Sequence, residues 1–413
     1  MKVLVVTPYF YPHMGGVQKY VYEIGTRLQR QFGHDVTVVC SNWSQEGDAV
    51  RTDRVDGLTV IRLPYQFKVS STPVNLAWKR ALREIIGSVR PDVVNGHMPV
   101  PFIADAAARA SAGMQVPYVL TYHNDLTGSD LLTQAFGQCY YPLLGSRTLR
   151  LADMIVATSE YYAGRSLHLR EHRRKLRYAA PGVDLERFGG DRSDFLRRKY
   201  HLNGEKILLY VGHLDRESRH KGVHYLIRAM KTVRASMDAK LVVAGRGNYI
   251  DHYRRLAADE GILEDVIFAG FVPETEMPLY FNSADLLVLP SCDRAEGFGM
   301  VLIEAQACGT PVIGTEIGGI PYAVEDGVTG LIVPPGNAAG LATAAIKVLG
   351  DGDLYRRMAQ KGPERVRELF TWEKSAAAYD QVFREVVRRE KDRHMAPKRR
   401  SDDLEAQSFS ALS

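Results

Sequence analysis

Short aliphatic runs stopped by Gly, Pro or a polar turn alternate with segments of helical periodicity along most of this chain, in two successive series. The first series reads KVLVV, DVTVVCS, LTVIRL, DVVNGH, PYVLTYH and MIVATS, with VQKYVYEIGTRLQRQF, LAWKRALREIIGSV and FIADAAARASA between them. In the first of these helical segments Val17, Val21, Ile24 and Leu28 recur at helix spacing. A second series follows Pro181, Gly182 and a polar stretch near residues 190–204. Its strands read KILLYVG, KLVVAG, DVIFAG, DLLVLPS, TPVIGT and GLIVPP, and its helices HYLIRAMKTVRAS, YIDHYRRLAADEG, EMPLYFNSA and MVLIEAQACG, the last stopping at Gly309. Strands without polar alternation, separated by helices, are buried on both faces, so each series predicts a parallel sheet wrapped by helices. The expected architecture is α/β, with doubly wound domains at 1–185 and 186–370. Helices are expected at Gly340–Leu349, Leu354–Phe370 and Trp372–Arg389, the last capped by Thr371 and packing back on the first domain. Residues 391–413 carry few apolar groups and are expected to be a disordered tail. Ligands of such sheets bind beyond the carboxyl ends of the strands, so two facing domains share one cleft.

Composition removes several function classes. At ~150 residues per domain, 413 residues with 45% apolar content exclude a disordered chain or a single small module. No apolar run approaches the ~18 residues of a membrane helix, and MKVLVVTPYFYP does not read as a signal peptide. A cytoplasmic protein is expected. Cys40, Cys139, Cys292 and Cys308 form no C-x-x-C pair and read as reduced core residues. Residues 1–185 carry 21 Lys and Arg against 15 Asp and Glu, so the basic excess of the chain, +5 overall, is N-terminal. That asymmetry suggests a phosphate-bearing partner, either an anionic membrane surface or a phosphorylated acceptor. No nucleic-acid-binding pattern is present.

The chemistry concentrates in Ser291–Gly309, SCDRAEGFGMVLIEAQACG. A strand passes through a glycine-containing loop into a helix, which predicts unpaired amides at Phe298, Gly299, Met300 and Val301 and hence an anion site. Glu296 precedes the helix. Glu304 lies about one turn in, its side chain directed back toward the N-terminus. A carboxylate beside a bound anion makes sense when the anion is carried by a polyol. Taken alone, the same residues also suit an ordinary turn and a solvated helix face.

The run EGFGMVLIEAQACGTPVI resembles the E-x7-E signature of the family 4 retaining glycosyltransferases of the GT-B fold. In register with it are GGVQKYV, ADMIVATSE, PGVDLERF, KGVHYLIRAM and IGGIPYAVEDGVTGLIVPPGN, so the resemblance runs from residue 1 to near residue 390. It implies transfer of a hexosyl group, with retention, from a nucleotide-diphosphate sugar to an acceptor hydroxyl; the N-terminal basic excess and the lack of a membrane span make a lipid-linked or cell-surface glycan the expected acceptor. It implies that Glu304 holds the ribose, that Glu296 with the Phe298 and Gly299 amides holds the transferred sugar, and that Gly15 and Gly16 let backbone approach the diphosphate. Lys221 matches the family lysine that neutralises the departing nucleotide, and His123 the histidine that contacts the donor sugar or shapes the reaction centre. The family arginine after the glycine is missing, because His213 follows Gly212. Arg216 is the expected substitute, with His213, Arg219 and His220 as other possibilities. With Gly245, Val272, Gly297 and Met300 these residues make up the expected donor site. Glu296, Lys221, Arg216 and His123 form the expected catalytic set.

Other features are less specific. His97 ends the strand DVVNGH and reads as a weaker candidate than His123. Gly245 and Gly247 suit a nucleotide-facing turn but lack a third glycine. Lys79, Arg80 and Arg83 in one helix, and Arg170, Arg173, Arg174, Lys175 and Arg177 in REHRRKLRY, suit either a solvated face or an anionic lipid surface on the inner side of the cell membrane. The D-x-D at Asp351–Asp353 falls between helices, with Asp353 as an expected N-cap, and not at a strand end where a cation would bridge phosphates; the resemblance implies that protein cations do that work, so neither metal nor cofactor is expected. Rival readings are a small soluble phosphate-bearing acceptor, a sugar-nucleotide epimerase, a phosphorylase or glycogen-type synthase, and a non-catalytic nucleotide-sugar-binding protein.

Overall fold

The computed structural model describes residues 1–12, 15–42, 49–69, 72–127 and 131–395. The first sheet is built from β1 (Lys2–Val6), β2 (Asp35–Ser41), β3 (Arg51–Val55) and β4 (Leu58–Leu63). A separate hairpin, β5 (Phe67–Val69) with β6 (Thr72–Val74), interrupts the series, and β7 (Val93–Met98), β8 (Tyr118–Tyr122), β9 (Met154–Ala157) and β10 (Leu176–Tyr178) complete it. The second sheet holds β11 (Lys206–Val211), β12 (Ala239–Ala244), β13 (Val266–Gly270), β14 (Leu286–Val288), β15 (Val312–Thr315) and β16 (Gly330–Val333). The orders are β10-β9-β8-β7-β1-β2-β4-β3 and β13-β12-β11-β14-β15-β16. Within these two sheets every pairing is parallel except β3 on β4; the hairpin β5–β6 is antiparallel. The chain thus adopts the expected α/β class, with two Rossmann-like sheets of the GT-B kind.

The differences have local causes. Strand β3 reads RTDRV, has no apolar alternation, and lies exposed at the sheet edge, where charge discourages further pairing. A helical run from Leu131 to Leu151 has no clear periodicity in the sequence because Pro142 and Gly145 interrupt it. The backbone absorbs them in a π-helical turn, Tyr141–Gly145. Asp351, not Asp353, caps the helix Gly352–Leu369, its carboxylate accepting from the amides of Asp353 and Leu354 at 3.0 Å. Cys40 and Cys308 are core residues, whereas Cys139 is exposed and Cys292 half-buried.

The final helix runs from Trp372 to Met395, so residues 391–395 are helical and not part of a tail; residues 396–413 lie outside the described residues. Its Trp372, Ala376, Tyr379, Val382, Phe383 and Val386 join the core on one face of the first sheet. Burying a large side chain contributes about 1.5–3 kcal/mol, so this stripe anchors the helix there. The polypeptide crosses between the two units twice, and the crossings touch. The Val183 amide donates to the Phe370 carbonyl at 2.9 Å, and a Cβ on Gly182 would stand 2.2 Å from the Trp372 nitrogen. Among the described residues no helix is long and apolar enough to cross a membrane.

Candidate functional site

The loops after β1, β8 and β9 face those after β11, β12, β13 and β14 across the cleft, as parallel sheets require. Two helix starts meet there. Helix Gly16–Phe32 begins at Gly15 and helix Met300–Ala307 at Gly299, and neither has a side-chain cap. Gly299 is left-handed, φ 83°, and a Cβ on it would stand 2.9 Å from Leu302, so glycine is required twice over. Gly15 is extended, φ −171°. Its contribution, with Gly16, is to leave the helix start bare. The first amide of the Met300 helix to find a backbone acceptor is that of Leu302, on the Gly299 carbonyl. Both helix starts carry partial positive charge toward the same point.

That point is the neck between two cavities, both of which are lined by Gly16, Val211, Met300 and Val301. The larger, about 400 Å³, is walled by Gly15, Lys19, Gly212, His213, Gly245, Arg246, Phe271, Val272, Glu274 and Glu304. The smaller, about 290 Å³, is walled by Tyr20, His123, Asn124, Thr158, Lys221 and Glu296 through Gly299. Each cavity has a close lysine–glutamate pair. Lys19 Nζ stands 2.6 Å from Glu304 Oε1, across the two domains. Lys221 Nζ stands 2.9 Å from Glu296 Oε2, which also accepts from Ser291 Oγ at 3.0 Å. Burial alone would raise the Glu296 carboxyl, but the Lys221 ammonium and these hydrogen bonds outweigh it and hold the group below the usual carboxylate range. Burial would lower Lys19, and Glu304 with Glu274 reverse that.

His123 lies on the opposite wall. Burial pushes its imidazole down to about 3, so it is neutral at physiological pH. Its carbonyl meets the second domain, where a Cβ on Gly297 would stand 2.4 Å from the His123 oxygen. The Phe298 ring is buried edge-on to Tyr322 and Phe370. Gly245 serves close packing as well as lining, because a Cβ there would stand 1.9 Å from the Gly212 carbonyl oxygen.

Arg216 is the one expected catalytic residue that the fold does not bring to the cleft. It opens the 3₁₀ turn Arg216–Lys221, which delivers Lys221 to Glu296, and it lines an outer cavity with Glu217, Asn248, Tyr249 and His252 instead. His213 occupies the wall of the larger cavity where the arginine was expected, and burial lowers its pKa, with Lys221 adding to the effect. Among the described residues no group of three or more His, Cys, Asp and Glu side chains could hold a metal ion.

Comparison with known proteins identifies the family. A family profile described as Glycosyltransferase Family 4 matches residues 14–187, and one described as Glycosyl transferases group 1 matches residues 192–365. A GDP-mannose-dependent alpha-(1-6)-phosphatidylinositol monomannoside mannosyltransferase of Mycobacterium tuberculosis is 30% identical over 91% of this chain and 96% of its own. The chain is a family 4 glycosyltransferase. A glycogen synthase of the same organism is 29% identical over 95% of this glycosyltransferase and 96% of its own chain. The solved structure of Anabaena HepE in complex with UDP and glucose shares the fold, with a TM-score of 0.74 at 18% identity, covering 93% of the enzyme and 100% of HepE. Sequence reasoning missed Lys19, Asn124 and Thr158 in the glycosyltransferase cleft. Lys19 stands one helical turn after the two glycines, on the face that meets the cleft. That spacing was the available signal.

Proposed function

We propose that this enzyme moves a hexosyl group, with retention and without a metal ion, from a nucleotide-diphosphate sugar to a hydroxyl of a lipid-linked, phosphate-bearing polyol. The observation that carries the reading is the meeting of two uncapped helix starts at a neck, with a lysine–glutamate pair on each side. A diphosphate at the neck would receive both positive helix ends, the nucleotide would fill the larger cavity with its ribose on Glu304, and the hexose would fill the smaller one between Glu296 and His123. Breaking the bond from the anomeric carbon to the phosphate oxygen leaves charge beside Lys221. The acceptor oxygen bonds to that carbon from the same face, and its proton passes to the departing phosphate oxygen.

A separate cavity, of about 590 Å³, suits the acceptor. The segments that wall the hexose side, His123–Asn124 and Ala295–Glu296, continue into it as Asp125–Thr127 and Asp293–Arg294. Leu167 on its rim and Leu143 nearby are exposed, and the basic turn Arg170–Lys175 follows in the chain, a combination suited to a peripheral enzyme on an anionic bilayer. Not all of that charge is free, since Lys175 Nζ donates to the Arg150 and Ala152 carbonyls.

The test is a thermal-shift panel of UDP, GDP and ADP, followed by transfer from the matching sugar nucleotide in EDTA, with GDP-mannose and a phosphoinositide acceptor tried first. One nucleotide should stabilise the protein, by ~2.7 kcal/mol at a hundredfold excess over its Kd, and the product should keep the anomeric configuration of the donor. An inverted product, or transfer that requires added Mg²⁺, would overturn the reading. Flotation with anionic vesicles separates a lipid-bound acceptor from a soluble one.

A further inference from the structure

Strands β7 and β8 pair in register, His97 opposite Thr121, so two histidines that end adjacent strands come together. His97 Nδ1 and His123 Nε2 are 2.9 Å apart, with the rings stacked at 26°. Behind them lies a buried polar chain. His97 Nε2 is 3.0 Å from Asn95 Oδ1, and Asn95 Nδ2 is 3.1 Å from the Val119 carbonyl and 3.0 Å from Thr121 Oγ1. Thr121 Oγ1 is 2.7 Å from the Tyr379 hydroxyl, on the final helix.

The direction of each proton from Asn95 to His123 follows from one group that cannot donate. The Val119 carbonyl only accepts, so the Asn95 atom facing it is the amide nitrogen and the one facing His97 is the oxygen. That oxygen has no hydrogen, so His97 carries its proton on Nε2. Both imidazoles are neutral, because burial disfavours their charged forms. A neutral His97 protonated on Nε2 has a bare Nδ1, which can only accept, so His123 must carry its proton on Nε2. The remaining ring nitrogen of His123, Nδ1, is left as a lone pair on a residue that walls the smaller cavity.

We propose that His97 is a positioning residue that locks His123 in the Nε2–H tautomer, so that the Nδ1 lone pair accepts a hydrogen bond from a hydroxyl of the sugar in the smaller cavity. The inference rests on the reading of that cavity as the hexose site. With the wrong tautomer, an N–H would face a hydroxyl that must then turn its own proton elsewhere, and a hydrogen bond to the bound sugar would be lost.

The experiment is long-range ¹H–¹⁵N correlation NMR on the full chain labelled at histidine nitrogens, with His97→Gln and His97→Leu for assignment. The wild type should show His123 neutral, protonated at Nε2 and bare at Nδ1. In His97→Gln the side-chain oxygen still accepts from His123, and the tautomer should persist. In His97→Leu it should become a mixture, with kcat down about 10-fold, the scale of one hydrogen bond of ~1.4 kcal/mol, and with the glutamine variant recovering most of that loss. A proton on His123 Nδ1 in the wild type overturns the inference with no variant needed, and equal impairment in the two variants overturns it also. If the tautomer is as stated but turnover is the same in all three proteins, it is the assignment of the cavity to the sugar that fails.

Discussion

Acidification probes the histidine pair in a second way. His97 and His123 are each about nine-tenths buried or more and held neutral, with His123 at about 3 and His97 well below 6.5. In the unfolded chain both titrate near ~6.5. Between those limits the unfolded state binds protons that the native state does not, so stability is full above about pH 6.5 and falls as the pH drops toward the native values. At pH 5, an unfolded histidine of pKa ~6.5 beside a native one that stays neutral costs about 2 kcal/mol, so the pair costs about 4 kcal/mol relative to pH 7. Other histidines contribute their own shifts, which a difference removes. Urea unfolding of the wild type and of His97→Gln/His123→Gln would be compared at pH 7 and pH 5 by tryptophan emission. Trp78 and Trp372 are buried in the cores on the two faces of the first sheet, so the signal reports the part of the molecule that holds the pair. The wild type should lose about 4 kcal/mol more than the double variant over this interval. Equal losses would refute the reasoning, since they would mean that the native imidazoles take up protons as freely as the unfolded ones.

Three further substitutions test which residues act in the cleft. Gly297→Ala sets a methyl where the His123 carbonyl oxygen stands 2.4 Å away; nucleotide affinity, measured calorimetrically, should stay within a few-fold while transfer falls about 100-fold, as expected for a displacement on the order of 1 Å at the reacting centre. Lys221→Ala should lower kcat on the order of 10²–10³-fold and also lower the melting temperature, because it leaves Glu296 buried without its cation. Arg216→Ala should change kcat by less than about threefold, because an exposed side chain outside the cleft gives up no contact with the reacting groups.

Much of this molecule is written locally. The alternation of aliphatic runs with helical periodicity is complete within each strand and helix, and it gives the two wound sheets. The loop from Ser291 to Gly309 announces its helix start, its left-handed Gly299 and the spacing of its two glutamates in one continuous stretch. Features without a local pattern were illegible: the polar edge strand Arg51–Val55, the helical run through Pro142, and the continuation of the final helix to Met395. The partners of the site residues were illegible for a different reason. Lys19 and Glu304 are 285 positions apart, and nothing near either one names the other. Arg216 and Lys221 are both plausible cations in the sequence, and only the turn between them decides which reaches Glu296. The meeting of His97 with His123 follows from β7 lying beside β8 in register, a fact of strand order. Periodicity and turn chemistry act over a few residues and are therefore settled by the sequence alone. Which side chains share a cavity depends on strand order and on how the two domains face each other, and those are determined only when the whole core packs.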